Sequence, residues 1–256
     1  MEGVPATVLG KAVAVLRAFT AEDTTLGLAE LQRRTGLAKS TLHRTLGDLV
    51  GHGLLERPEH AGGRYRLSGL VFELGMRASV GRGLLEVATP FLEDLYERTH
   101  ETVHLGVREG AEVVHVAKMG GHRQVRAPSR LGGRMPLHAT AIGKVLLAHA
   151  PAEERDELLD APLARRAPRT ITHAPVLRAQ LAEVLERGVA FEHEESATGI
   201  TCVAAGVAEP GQGVRTAVSI TGPVHRFRPA RHADAVRAAA SGIAAMLAHR
   251  AALREP

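Results

Sequence analysis

The sequence predicts an α+β chain in two parts: a small helical head closed by a hairpin, then a larger domain with an antiparallel sheet flanked by helices. Three observations carry this. Apolar residues recur at helical spacing in the first third, a turn-rich hairpin follows the third helical segment, and two later strand pairs are embedded among further helical segments. A length of 256 residues suits one large domain or two modest ones. Hydrophobic residues at 45% and charged residues at 23% exclude disordered, collagen-like and fibrous chains. A single Cys excludes an intramolecular disulfide framework and a Cys-rich zinc site. With no Trp, 2 Tyr and 5 Phe, the core falls to Leu, Val and Ala, and the stacking platforms used on single-stranded nucleic acid are nearly absent. The start lacks a basic segment leading into an unbroken apolar run, and no stretch reaches ~18 apolar residues, so a cytoplasmic chain without membrane contact is expected.

Residues 8–20 place Leu9, Val13, Leu16 and Phe19 at helical spacing. A short helix from Leu28 to Thr35 stops at Gly36, a residue that takes a left-handed cap without a Cβ penalty. After the turn Gly36-Leu37-Ala38, Lys39 to about Gly51 forms a third helix with Leu42, Leu46 and Leu49 in one stripe and Ser40, Thr41, His43, Arg44 and Gly47 opposite. That opposite face is basic and free of acids, as a helix entering a major groove requires: Ser40 and Thr41 suit phosphates or base edges, and Arg44 suits bidentate contact with a guanine. Gly53 to Arg57 and Arg64 to Leu67 then make a hairpin across Pro58 to Gly63, a wing whose Arg64 and Arg66 share one side and suit phosphates. Helix, helix, turn, basic helix and basic hairpin together describe a winged helix-turn-helix that binds DNA. The expected domains are 1–67 for this head, 68–82 for a linker helix with Leu70, Val71, Leu74 and Ala78 at helical spacing, and 83–256 for the rest.

Charge follows the same division. Lys and Arg number 32 against 28 Asp and Glu, and the first 82 residues hold 11 of these bases and 8 of these acids, so most of the excess lies there. Arg33, Arg34, Lys39 and Arg44 occupy an acid-free run between Glu30 and Asp48. A second acid-free run, from Glu112 to Glu153, carries Lys118, Arg123, Arg126, Arg130, Arg134 and Lys144. Two cationic regions imply two anionic partners.

In the larger part, a helix over 84–100 precedes strands at 102–107 and 112–117 across a hairpin turn; a second strand pair at 202–208 and 214–220 follows, with helices at 141–149, 153–159, 176–187 and 230–252. Catalysis has one thiol to use, Cys202, with His138 or His193 as the conceivable base, but Cys202 sits in the apolar run Ile200 to Ala204, where a buried small hydrophobe is the ordinary role. No metal is expected: His104, His115, His122 and His138 share no ligand spacing, and His193-Glu194-Glu195 reads as an exposed strand end. The Gly pairs at 120–121 and 132–133 match no phosphate or dinucleotide loop, so no cofactor is expected. Thr140, ahead of the helix formers from Ala141, is an N-cap that turns the amides of Ala141 and Ile142 towards an anion. The second cationic run would draw a carboxylate to them.

These residues carry a resemblance. The runs 28–44, Arg64 to Gly69, Pro136 to Lys144, Glu194 to Ala205 and Val218 to Pro223 resemble the IclR (isocitrate lyase regulator) family of bacterial transcription regulators over nearly the whole chain. The resemblance implies a winged head, a linker helix and a GAF-like effector domain, assembled as dimers or dimers of dimers on palindromic double-stranded operator DNA, with a small organic acid as effector. Carried over by position, DNA contacts fall to Arg33, Lys39, Ser40, Thr41, His43, Arg44, Arg64 and Arg66. Ala141 and Ile142 match the amide-donating pair, Cys202, Ser219 and Thr221 the polar lining, and Ala127, Met135 and Ile200 the apolar wall. Glu192 stands where a family member carries the shorter Asp, and Ala141 replaces a Gly found in some relatives. The expected function is a sequence-specific regulator whose operator affinity a small acid changes. The alternative, an enzyme on a small acid with an accessory DNA-binding head, is separated from it by turnover and by the fate of Cys202→Ser. An architectural DNA binder would instead show one salt-steep affinity for every duplex.

Overall fold

The computed structural model describes residues 7–20, 22–58, 62–77, 82–120, 127–211 and 213–253. The chain divides into two units, residues 1–82 and 83–256.

In the first unit, α1 (Val8–Arg17) begins where the Thr7 hydroxyl accepts from the Gly10 amide. α2 (Leu28–Thr35) ends at Gly36 with φ 67°, and α3 (Lys39–Gly51) follows the three-residue turn. β1 (Leu55–Glu56) and β2 (Arg66–Leu67) pair antiparallel, and α4 (Gly69–Arg77) leaves the wing. Leu26 and Tyr65 exchange both backbone bonds, a third rung that fastens the chain before α2 to the wing. Val15, Leu31, Leu42, Leu46, Leu49 and Leu55 form the core of this unit, each buried Leu contributing roughly 1.5–3 kcal/mol.

α1 buries only part of the expected stripe: Leu16 and Phe19 pack against the core. Leu9 is 74% and Val13 37% exposed, while Val15 and Ala18 are buried. The helix carries apolar residues all round, so spacing alone could not select its inner face. The linker helix expected over 68–82 is α4 at Gly69–Arg77; Ala78 and Gly81 lie outside the described residues.

The second unit runs α5 (Arg82–Thr99), β3 (Thr102–Glu109), β4 (Glu112–Met119), β5 (Arg134–Pro136), α6 (Ala141–Ala148), α7 (Ala152–Asp160), α8 (Ala174–Arg187), β6 (Ala190–His193), β7 (Ile200–Glu209), β8 (Gly213–Pro223) and α9 (Ala233–Ala252), with short 3-10 turns at Leu137–Ala139 and Pro229–His232. Six strands form one antiparallel sheet in the order β5-β4-β3-β8-β7-β6. Strand alternation splits the core. Val103, Leu105, Val203, Val207, Val218 and Ile220 join α5 and α9 on one face; Val113, Ala204 and Ala217 join α6 and α8 on the other. All eight residues of α6 are buried. It can lie so close because a Cβ at Gly106 would stand 3.0 Å from the Ile142 side chain, and one at Gly143 would stand 2.1 Å from the Leu137 carbonyl. The short strands β5 and β6 were absent from the expectation; each is a sheet edge too brief to show a period-two pattern.

Candidate functional site

The exposed face of α3 presents Lys39, Ser40, His43 and Arg44, with Thr41 half-buried beside them. Leu42, Thr45, Leu46 and Leu49 point inward and orient this face. Among the described residues no acid pairs with Lys39, His43 or Arg44. The flanking bases are tied down instead. Arg33 donates to both Glu30 oxygens at 2.9 and 2.6 Å. Arg34 bonds Glu30, Asp23 and the Ala18 carbonyl, clamping α2 to the end of α1. These guanidinium hydrogen bonds hold Glu30 at about 2 and Asp23 well below the usual carboxylate range. Arg64 donates to the Thr25 hydroxyl and carbonyl, each at 2.8 Å, and Arg66 to Glu56 at 2.7 Å. The eight residues expected to meet DNA therefore fall into two groups, free on α3 and tethered at its edges.

The second unit holds a cavity between the sheet face and the start of α6. Its apolar wall is Ala127, Met135 and Ile200, and its polar floor comprises Cys202 from β7, Ser219 and Thr221 from β8, His104 from β3 and His115 from β4. Thr140 caps α6 through a 2.9 Å bond from the Gly143 amide to its hydroxyl, and Ala141 and Ile142 line the cavity. Their amides are first-turn donors with no intrahelical acceptor, at the positive end of the helix. An acidic ligand would find donors from one side and hydroxyls from the other.

Sequence reasoning missed His104, His115, Ser129 and Ser196, which also line the cavity. The two imidazoles meet edge to face at 5.1 Å because a register shift in β3–β4 sets His115 opposite Gly106 while His104 faces Lys118. Spacing in the sequence carries no sign of that shift. His104 Nε2 lies 2.7 Å from the Ser129 hydroxyl, and Lys118 Nζ donates to the Ser129 carbonyl. Burial pushes both rings to stay neutral: His115 falls to about 4 despite the Gly133 carbonyl accepting a hydrogen bond from it, and His104 lies well below the ordinary histidine value, with the neighbouring His115 and Lys118 acting the same way.

Glu192 is not brought to the cavity. It is fully buried on β6, where its Oε1 accepts from the amides of Glu195 (2.7 Å) and Ser196 (3.0 Å). Burial raises its pKa, against hydrogen bonds from Ser196, Cys202 and Glu195. It shapes the loop that presents Ser196. Burial likewise pushes the Cys202 thiol well above its ordinary pKa, so a thiolate nucleophile is not at hand.

Two expectations need correction. His193-Glu194-Glu195 is an exposed strand end only in part: His193 closes β6 in the open and Glu194 is half-buried, but Glu195 is buried against Lys144 at 2.6 Å. Nor does Lys144 attract ligands: it is 1% exposed, and its ammonium also donates to Gln180 and the Phe191 carbonyl. A lysine set in the wholly apolar run of α6 was the available signal, because a charge buried there must have a partner. Of the other second-run bases, Arg134 pairs with Glu112, Arg130 donates to the Ala127 carbonyl, and Arg123, Arg126 and His122 lie outside the described residues.

Comparison with known proteins agrees with this two-part layout. The family model for the IclR helix-turn-helix domain matches residues 8–59, and that for the bacterial transcriptional regulator IclR C-terminal domain matches residues 76–245. The chain is 35% identical to the HTH-type transcriptional regulator XynR of Escherichia coli K12, over 82% of this chain and 84% of the relative. It is 34% identical to the regulator KdgR of the same organism, over 86% and 84%. Among solved structures, an IclR homolog of Microbacterium hydrocarbonoxydans complexed with 4-hydroxybenzoate superposes with a TM-score of 0.88 at 32% identity, covering 95% of this chain and 100% of the other. No helix among the described residues is long and apolar enough to cross a membrane. The chain belongs to the IclR family of DNA-binding bacterial transcriptional regulators.

Proposed function

We propose that a small organic acid, held in the cavity under α6, changes the affinity of this regulator for its operator. One observation carries the reading. First-turn amides of Ala141 and Ile142, hydroxyls of Ser219 and Thr221 and an apolar wall meet around one small cavity, the arrangement that suits a carboxylate on a compact apolar body. The 4-hydroxybenzoate complex of the Microbacterium homolog supports the same chemistry.

On this reading α3 enters the major groove, with Arg44 on base edges and Lys39, Ser40, Thr41 and His43 on neighbouring base edges and phosphates. Arg33, Arg64 and Arg66 reach backbone phosphates once they exchange their internal partners for them. The head is residues 1–67, residues 68–82 link it to the effector domain, and the protein works as a dimer or a dimer of dimers on a palindromic site. The acid acts through unequal affinity for DNA-competent and DNA-incompetent arrangements, carried by the linker. Calorimetry with a panel of small carboxylates tests the pocket. Ser219→Ala and Thr221→Val are expected to weaken acid binding while leaving acid-free DNA affinity intact; equal affinity in wild type and variants would refute the assignment.

A further inference from the structure

We infer that Gly47 sets how deeply α3 seats in the major groove, and so how well the protein tells its operator from other duplexes. The inference rests on the placement of α3 proposed above and adds to it a residue that acts by lacking a side chain.

Gly47 stands in the interior of α3, at an exposed position about two turns beyond Lys39. A glycine there weakens the helix. It surrenders more backbone freedom on folding than any other residue, so that alanine in its place would raise the folding constant about two- to fivefold. Nothing within the protein asks for it. A Cβ on Gly47 would meet no atom within 4 Å among the described residues, and the backbone is helical rather than left-handed. In α6, by contrast, a Cβ at Gly143 would run into the Leu137 backbone, so that glycine answers to a neighbour in its own chain. Gly47 answers to none.

Its place on the helix shows what the open space serves. At about 100° per residue, Lys39, His43, Gly47, Ser40 and Arg44 fall at about 0°, 40°, 80°, 100° and 140° round the axis, whereas the buried Leu42, Thr45, Leu46 and Leu49 lie between about 240° and 340°. Gly47 therefore occupies the middle of the polar arc. Its flanking bases Lys39, His43 and Arg44 are paired with no acid among the described residues, and the domain that carries them matches a DNA-binding family. A helix with its side chains is about 10–12 Å across and the major groove about 12 Å wide, so a side chain missing from the middle of the arc lets the axis approach the bases. Ser40 needs that approach most. Its hydroxyl sits directly on Cβ and meets a base edge only when the helix is close, while Lys39 and Arg44 reach from further out. With a side chain at position 47, the long bases would keep their phosphates and the short contacts would be lost. The loss falls on operator binding and spares non-specific binding, which rests on phosphates.

The test is an anisotropy titration of the full chain against two duplexes of equal length, one selected from fragments flanking its own gene and one of scrambled sequence. Wild type, G47A, G47L and R44A are compared. Alanine and leucine both favour helix, so G47A and G47L are expected to be at least as stable as wild type in thermal unfolding. G47A should weaken operator binding about fivefold or more and G47L further, with the scrambled duplex bound within about twofold of wild type and the salt slope unmoved. A protein that folds better and reads worse has lost contact with DNA rather than structure. Full operator affinity in G47A and G47L, beside a loss in R44A, overturns the inference and leaves the groove reading standing. So does an equal loss on both duplexes, or a changed oligomeric state in sedimentation with DNA affinity held, which would turn this face towards another protein. Operator binding indifferent to R44A and to both Gly47 variants overturns the groove reading as well.

Discussion

The two units place their charge in opposite ways. In the head, Arg33, Arg34, Arg64 and Arg66 are held by short-range partners at or near the surface, around a set of α3 side chains that no acid among the described residues neutralises. In the second unit the polar groups Lys144, Glu195, Glu192, His104 and His115 are buried. Surface pairs stabilise little, since water screens them and long side chains lose freedom to form them. A buried pair is different: once formed, removing one partner strands the other without water. On the proposed function, the head's screened surface charges can be exchanged for phosphates, whereas those buried in the second unit are locked to their partners.

The largest effect should follow from stranding a charge. Lys144→Met leaves Glu195 buried alone and is expected to destabilise the protein by about 3–5 kcal/mol in urea unfolding, whereas Arg66→Ala should change stability by less than about 1 kcal/mol. The double change of Lys144 to Met and Glu195 to Leu should recover a good part of the loss. Comparable single-site effects at Lys144 and Arg66 would erase the contrast between the units.

Next in size is a pH effect from the buried histidines of the second unit. The folded protein holds His115 at about 4 against an ordinary value of 6.5, so the unfolded chain binds its proton first as pH falls. Stability is then complete above about pH 6.5 and declines towards pH 4, by about 3 kcal/mol from this residue. His104, also depressed, adds in the same direction. Glu192 has the opposite sign: its raised pKa means that stability is lost as pH rises above 4.5. Thermal unfolding from pH 4 to 7 should show a shallower acid slope in H115F than in wild type, and parallel slopes would sink this assignment.

Smaller effects belong to the head. Arg44→Ala is expected to cost about 1–3 kcal/mol of operator binding with relaxed base preference, and to leave the unfolding midpoint unmoved. Arg64→Ala should weaken all duplexes alike and flatten the salt slope by about one. Because Arg64 also ties the wing to Thr25, a small loss of stability should accompany it. Anisotropy titrations across salt concentrations separate these outcomes.

The contrast also explains what the sequence could and could not disclose. The apolar stripe of α3 and the left-handed Gly36 were legible, because periodicity and a missing Cβ are local properties. So was the amide pair, since Thr140 announces the start of α6. The inner face of α1 was not, because apolar residues surround that helix. His104 and His115 meet only through a register shift, and Glu195 reaches Lys144 across 51 positions of chain, so their roles depend on long-range pairing that no local pattern encodes. Glu192 shows a residue placed by analogy whose carboxyl turned towards its own loop instead.

The central claim is that occupancy of the cavity alters grip on DNA. The direct measurement is the affinity of the full chain for an operator duplex, selected from fragments flanking its own gene, with and without a saturating acid that calorimetry shows to bind. The account predicts a change of about fivefold or more that disappears in Ser219→Ala with Thr221→Val, while acid-free affinity stays at the wild-type value. An acid that fills the cavity and leaves operator affinity unaltered would contradict it.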